Sequence, residues 1–503
     1  MSEEKINSTF QESPVEVSPA DDGEILEVRH YTPQEIAASG KWYDQRYFGL
    51  PSYSNSLVQV VMLSFVLFLC PGCFNAITGL GGSGISDAVV ADHQNIALYC
   101  TFSVGIYSGI VVNKLGPKIC LMIGGSGYLI YVASLLNYQR NQNVGFCIFA
   151  GAYLGVCASL TWAVQGSMIM SYSSEDRKGL FFAVNWIIFN VGTVIGSCIP
   201  LAQAIQTGTS SASTGTFAAF MALVGCGIVV ASLLLPMDKV YKLDGSKVVA
   251  SKYPSIKSEL KGMYHVLVRE PKIYLLIPMF ATSNWYYTYQ FNDFNGGGKF
   301  DLKARSLNSL LYWFSQMVGA LLLGVILDWG RFRRSVRAKI GWVVVFVLGM
   351  AIWGGGLKFQ LGYDRDSKLT AMSFNDRGYI GPMFLYMFYG MFDAMYQSFI
   401  IWILGSMSNN PRKTAIYASL YKSFQSAFAA IVWALDSRKV SFMALFGSSW
   451  GMCGGSLLIA VPLVFFMITD HTDMEKDGMK EILEDDVVVV KTIEEREIKA
   501  EDA

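Results

Sequence analysis

Charge is what this sequence has least of. Only 16% of its 503 residues are Asp, Glu, Lys or Arg, against about 25% in a typical soluble chain. Lysine plus arginine and aspartate plus glutamate stand at 39 each, so the net charge is zero and no basic excess points to nucleic acid. Histidine is scarce, with four in all. No His/Cys spacing suits a metal, and no nucleophile–base arrangement stands out, so the chain is read as a non-enzyme without a cofactor. The first residues are polar and acidic with no apolar run, which excludes a cleavable signal peptide at this end. The nine cysteines (70, 73, 100, 120, 147, 157, 198, 226 and 453) fall in or beside apolar segments, as small packing residues do, which argues against a disulfide framework.

What fills the chain instead is apolar. Hydrophobic residues make up 52% and aromatics 14%. Between charge-rich, acidic ends (1–50 and 471–503) lie runs of about 20 residues with almost no charge, the length that crosses a bilayer at about 1.5 Å per residue. Twelve spans are expected, at 54–77, 94–113, 119–137, 144–170, 179–200, 216–236, 273–291, 306–327, 340–357, 379–405, 414–436 and 447–468. Nineteen Lys and Arg fall in the loops on one side and ten on the other, so the first side is expected to be cytosolic, with both tails there. The triplet Asn7-Ser8-Thr9 is then no glycosylation acceptor.

The loop 237–272, which is basic and expected to lie against anionic headgroups, divides a six-span half (51–236) from a second (273–470). The halves repeat. "GIVVNKLGPK" joins spans 2 and 3 where "GVILDWGRFRR" joins spans 8 and 9, and Arg177-Lys178 opens span 5 where Arg412-Lys413 opens span 11. The fold class is therefore an all-α membrane protein of twelve transmembrane helices in two pseudo-symmetric halves, a build common among secondary transporters.

Polar side chains are costly in a bilayer, so their placement carries information. Spans 3, 6, 9 and 12 have no Asn, Gln, Asp or Lys in their cores. The others carry Asn75, Gln165, Asn185, Asn190, Asn284, Gln290, Gln316, Asp393, Gln397, Lys422 and Gln425, candidates to line a central cavity. Asp393 and Lys422 differ in depth by about 6 Å, within a lysine's reach if spans 10 and 11 are neighbours. They are expected to pair or share a proton, either as a structural ion pair or as a coupling site for substrate or protons, with no contact between them as the remaining alternative.

"FLCPGCFNAITGLGGSGI" (68–85) contains a C-x-x-C and a G-x-G-x-x-G. Inside an apolar span, with no strand before it or dinucleotide-type helix after it, neither has its chemical context. Pro71 and Gly72 instead predict a kink in span 1, with Asn75 placed to serve the freed carbonyls. The aromatic run in "FATSNWYYTYQFNDFN" (280–295) reads as an interfacial belt or, if span 7 breaks, as an outer gate or cation site. Gly105/Gly109, Gly151/Gly155 and Gly192/Gly196 are small-residue pairs for close helix packing.

At Gly109–Lys118 the chain resembles the major facilitator superfamily, with Lys114, Gly116 and Lys118 in place and Asn113 where an aspartate is usual; Asp328 and Arg331 occupy the matching turn of the second half. "PGCFNAITGLGGSG", "YTYQFNDFN", "RSLNSLLYW", "YGMFDAMYQSFIIWILGSMSN" and "YKSFQSAFAAIVWAL" are similar, in order, to the Unc-93-like family, fungal-type branch, over about 45–470. The resemblance implies a major facilitator fold. It also implies an activity tied either to ion balance and potassium-channel regulation or to escorting receptors between membranes. Two functions follow as expectations. The first is alternating-access transport of a small solute or ion, with Asp393 as coupling group. The second is a non-transporting escort or regulator of a channel or receptor, with a membrane-protein partner.

Overall fold

The computed structural model describes residues 31–470 apart from 48, 86, 174–177, 208–211, 249–255, 368 and 409–410. The tails 1–30 and 471–503, Arg177, Lys368, and the side chains of Asn113, Lys178 and Arg412 lie outside what is described.

Within those residues the chain is helical, and six of the spans start where a polar side chain takes up a free N–H group of the first turn. Asn55 caps span 1 through Leu57 N, Asp87 caps span 2 through Val89 N, and Asn143 caps span 4 through Phe146 N. Ser213, Asp301 and Ser441 do the same for spans 6, 8 and 12. Among the described residues, eight helices are long and apolar enough to cross a membrane: spans 1, 3, 4, 5, 6, 8, 9 and 12. Of the remaining four, span 2 is a 16-residue helix, Ala88–Ser103, that breaks into a tighter turn at Gly105–Tyr107. Span 7 is broken, and spans 10 (Ile380–Met407) and 11 (Pro411–Ser437) carry Asp393 and Lys422.

Several helices run past their expected ends. Span 2 begins at Ala88 rather than 94, span 8 covers Leu302–Leu327, and span 9 covers Arg334–Gln360. The membrane-sized apolar run sets where a helix must exist, whereas caps set where it stops. The turn between spans 2 and 3 is made at Gly116, whose φ of 77° and ψ of 162° interrupt an otherwise continuous helical path from Ser108 to Asn141.

Span 1 does kink. Ser56–Leu69 and Pro71–Thr78 are separate helices hinged at Cys70, where φ is −99° and ψ −80°. Asn75 is half-buried and, among the described residues, its side chain makes no hydrogen bond, so it does not serve the freed carbonyls. The nine cysteines are all free, and Cys70 and Cys73 are buried in the apolar core.

Two apolar cores form. One draws on residues 60–248 and the other on 263–468. Span 5 packs on span 8 and span 2 on span 11 across the seam. Spans 2 and 4 approach closely, since a Cβ on Gly151 would lie 2.1 Å from the Gln94 carbonyl oxygen. The 237–272 segment departs from a plain loop. Ile256–Arg269 is an amphipathic helix that turns Met263 and Val266 into the second core and leaves Leu260, Tyr264 and Val268 exposed. It rests on span 11, where Gly262 faces Ile416 and Lys413 pairs with Glu270. This end of the molecule also holds both described termini, through Tyr31 N to Gly245 O and Ser335 to Asp470.

Candidate functional site

Span 7 supplies the geometry of the interior. Its helix Ile277–Thr282 stops at Ser283, resumes for Tyr286–Thr288, and then widens into a π-helical stretch, Tyr289–Asn295. Such a widened turn inserts an extra residue and is frequent at functional sites. Here it accompanies two adjacent tyrosines reaching one group. Tyr286 OH donates to Asp393 Oδ1 at 2.8 Å and Tyr287 OH to Oδ2 at 2.9 Å. Gln397 Nε2 donates to Oδ1 at 2.7 Å and Gln316 Nε2 to Oδ2 at 2.5 Å. Tyr312 shares its one proton between Oδ2 at 3.1 Å and Gln290 Oε1 at 2.8 Å. Asp393 is fully buried. Every polar neighbour presents a donor, which suits a carboxylate, an acceptor-only group.

Lys422 does not form an ion pair with Asp393. Its ammonium donates to Gln425 Oε1 at 2.9 Å and lies 5.0 Å from the centre of the Tyr421 ring. Gln425 Nε2 then faces Gln397 Oε1 at 3.1 Å, Asn284 Oδ1 at 3.0 Å and Ser283 Oγ at 3.0 Å. Lysine and aspartate are thus linked through two glutamines. Lys422 is exposed and sits mid-helix on span 11, the helix that packs on span 2 of the first half.

The first half contributes neutral amides. Gln165 Nε2 donates to Asn185 Oδ1 at 2.8 Å, and Asn185 Nδ2 to Ser64 Oγ at 3.0 Å, joining spans 4, 5 and 1. Asn190 is buried against its own helix, on Trp186 O. Of the turn residues, Lys114, Asp328 and Arg331 are exposed and Lys118 half-buried. Arg337, which the sequence pattern did not single out, donates to Leu327 O at 2.7 Å beside Asp328.

At the end away from the termini the halves are latched, and the glycine run of the first span is the latch. Gly81 has φ 78°, and a Cβ there would lie 2.3 Å from Phe291 O. Arg305 donates to the carbonyls of Leu80 and Gly81, both at 2.8 Å, and Asn295 Nδ2 to Gly79 O at 2.9 Å. Asn292 Oδ1 accepts from Gly82 N at 2.8 Å, while its Nδ2 donates to Asp92 and Asp436. Sequence reasoning missed Asp92, Asp293, Asp436, Arg305 and Arg365 because each lies within a few residues of an expected span end or in a loop.

A cavity of about 840 Å³ lies elsewhere, on the outer side of spans 9 and 10, lined by Leu348, Ile352, Phe384 and Phe388 with Lys299 and Lys358. Its lining residues all come from the second half.

The Major Facilitator Superfamily matches residues 61–434. The chain belongs to that superfamily. Within it the chain is an UNC93-like protein, 46% identical over 431 residues to an UNC93-like protein of Schizosaccharomyces pombe, with 85% of each chain covered. UNC93-like protein 1 of Arabidopsis thaliana is 38% identical over 427 residues, 84% of this chain and 92% of its own. Among solved structures, a peptide transporter, POT, crystallised in complex with sulfate, superposes with a TM-score of 0.58 at 15% identity, covering 88% of this chain and 100% of its own. That likeness shows the fold. This UNC93-like chain is therefore a multi-pass membrane protein with the build of a secondary transporter.

Proposed function

We propose that the protein transports a small anionic solute by alternating access, held at Lys422 in the space between the halves. The observation that carries this is the inequality of the two interior charges. Asp393 is buried and fully supplied with donors, whereas Lys422 is exposed and, among the described residues, spends one donor on Gln425. The cavity side therefore presents a cation with donors to spare, next to the Gln397, Gln425 and Asn284 amides, which can orient a polar solute. Neutral amides on the opposite half add no competing charge. Asp393 acts here as the anchor that fixes Tyr286, Tyr287 and Gln397. This differs from the proton-carrying role expected of it from sequence, because protonation would place a donor among donors. The Lys and Arg bias of the loops supports cytosolic termini. The latch at the far end then closes the non-cytosolic side.

The test is thermal stabilisation of the purified protein by a panel of carboxylates, phosphate and sulfate, beside neutral and cationic analogues. A ligand at 100 times its Kd stabilises by about 2.7 kcal/mol. Anions alone should do so, and Lys422→Met should abolish the effect while keeping a monodisperse protein. Stabilisation by cations or neutral solutes only would overturn the reading.

A further inference from the structure

The far end holds a second charged cluster, on which anion binding at Lys422 makes no demand. Asp92 of span 2, Asp293 of the π-helical stretch and Asp436 near the end of span 11 are 1%, 0% and 2% exposed. Asn292 ties two of them together, donating to Asp92 Oδ1 at 2.7 Å and to Asp436 Oδ2 at 2.8 Å. Its orientation is fixed, because Oδ1 accepts from Gly82 N–H. Arg365 pairs with Asp436 and lies 3.6 Å from Asp293 Oδ1. Both carboxylate oxygens of Asp293 are buried and accept no hydrogen bond.

The other charged groups around the cluster are committed elsewhere. Asp87 accepts from Val89 N and Tyr138 OH, and Asp364 from Arg365 N and Phe442 N. Arg305 is spent on the Leu80 and Gly81 carbonyls, and Lys299 lies over the Phe359 and Tyr363 rings. Tyr363 OH donates to the backbone oxygen of Asp293, not to its carboxylate. Arg438 and Lys439 are exposed. Three carboxylates therefore face one guanidinium.

Buried charge without a partner is neutralised or it is not tolerated. Two agents can neutralise it here, a metal cation or a proton. A bridging cation would belong between Asp92 and Asp436, where Asn292 already presents its amide hydrogens. A proton needs no such room, and Asp293 has two oxygens unspent.

We propose that Asp92, Asp293 and Asp436 form a proton-binding site that latches the far end of the molecule. The closed arrangement holds a proton on the cluster. The proton leaves when Asp92, on the first half, parts from Asp293 and Asp436, on the second, and the carboxylates hydrate. If closing takes up one proton, the closed-to-open ratio changes tenfold per pH unit between the proton affinities of the two states, and acid favours closure. Calling the proton the coupling ion rests on the transporter reading; the proton site itself does not.

Infrared spectroscopy of the full chain in nanodiscs at neutral pH tests it. Expected is a protonated-carboxyl C=O band that shifts in D2O, is lost or diminished in Asp293→Asn and in Asp92→Asn, and is unchanged in Lys422→Met. Asparagine has nearly the shape of a neutral aspartate, so these variants should remain monodisperse. Absence of the band overturns the proposal, as does its survival in Asp92→Asn, Asp293→Asn and Asp436→Asn alike, or its appearance only when sodium is withdrawn. Collapse of all three variants would mean that the carboxylates are ionised and paired, and overturns it too. The latch is read from spin labels at Asn141→Cys and Arg438→Cys, with the exposed Cys100, Cys198 and Cys226 replaced by serine. The population with far ends apart should grow as pH rises. A pH-independent distance alongside the infrared band would refute the latch. Because Lys422→Met removes anion binding and leaves the band, failure of either proposal is separable from failure of the other.

Discussion

Replacing Asp393 by asparagine changes one heavy atom and one charge, and the structure sets what that should cost. The carboxylate offers two acceptor oxygens to Tyr286, Tyr287, Tyr312, Gln316 and Gln397. Asparagine offers one, and its NH2 points at donors in either orientation. Facing the Oδ1 side it meets Gln397, which cannot flip freely, because its own oxygen accepts from Tyr421 and Gln425. Facing the Oδ2 side it meets Gln316 and two tyrosines. The hydroxyls can rotate, yet at least one buried donor loses its acceptor, at about 1–3 kcal/mol, and the remaining bonds lose their charge assistance, about 1 kcal/mol each. Against this, the variant no longer buries a charge, which returns part of the loss. A net destabilisation of about 2 kcal/mol is the conservative figure. For a helical half of this size it lowers the melting temperature by about 4–8 °C, at about 2–4 °C per kcal/mol. The assay is tryptophan-fluorescence melting in one detergent at fixed protein concentration, with Gln316→Leu as a companion that removes one donor and keeps the charge. An unchanged or raised melting temperature for Asp393→Asn would refute the reasoning. It would mean that the carboxyl is already protonated, with a tyrosine or glutamine accepting from it.

Two further perturbations address other parts of the molecule. Gly81→Ala places a methyl 2.3 Å from the Phe291 carbonyl oxygen at a φ of 78°, a backbone conformation that costs a non-glycine residue about 1 kcal/mol before the clash. The far end should then spring open, so that a cysteine at Ser83, which is 2% exposed when latched, reacts with a membrane-impermeant maleimide at least several-fold faster than in Gly81. Unchanged labelling would show that the glycine run is not the latch. Lys413→Ala removes the Glu270 contact and should loosen the Ile256–Arg269 helix from span 11, read as faster proteolysis within 237–272 with spans 7–12 still folded. Unaltered proteolysis would locate the docking energy in Met263 and Val266 instead.

The twelve spans could be read because burying backbone in hydrocarbon demands a long apolar helix, and such runs leave an unambiguous trace. The two-half architecture followed from repeated loop motifs for a similar reason. What escaped lies where that trace fades. "ADHQN" at 91–95 breaks the apolar pattern, which therefore starts span 2 at 94 and places Asp92 in a loop, although the helix begins at Ala88. Asp293 lies just past the expected end of span 7, and Asp436 closes span 11. Polar residues near span ends are ordinarily solvated, and nothing in one chain's sequence tells a solvated aspartate from one folded inward against the other half. The tyrosines posed the converse problem. Tyr286 and Tyr287 have the composition of an interfacial belt, yet both point at Asp393. Only the need of a buried carboxylate for donors could have redirected that reading. The depths of Asp393 and Lys422 were legible from helical rise, but their azimuths were not, and azimuth decides that glutamines stand between them.

Charge is divided between the halves in a way that bears on how they move. The second half carries the Asp393 hub, Lys422, Arg365, Asp293 and Asp436, while the first contributes neutral amides to the interior and a single carboxylate, Asp92, to the latch. On the proposed transport reading, a solute held by Lys422 travels with the second half, and the first half can rock past it without breaking a charged contact at the centre. The charge-bearing contacts that must break are at the rim, where Asp92 meets Asn292 beside Arg365 and where Arg305 holds the Leu80 and Gly81 carbonyls. Moving the electrostatic cost of opening away from the binding site lets solute occupancy and protonation act on separate parts of one seam. Each can then bias the same two-state motion by the difference in its own affinity for the closed and open arrangements.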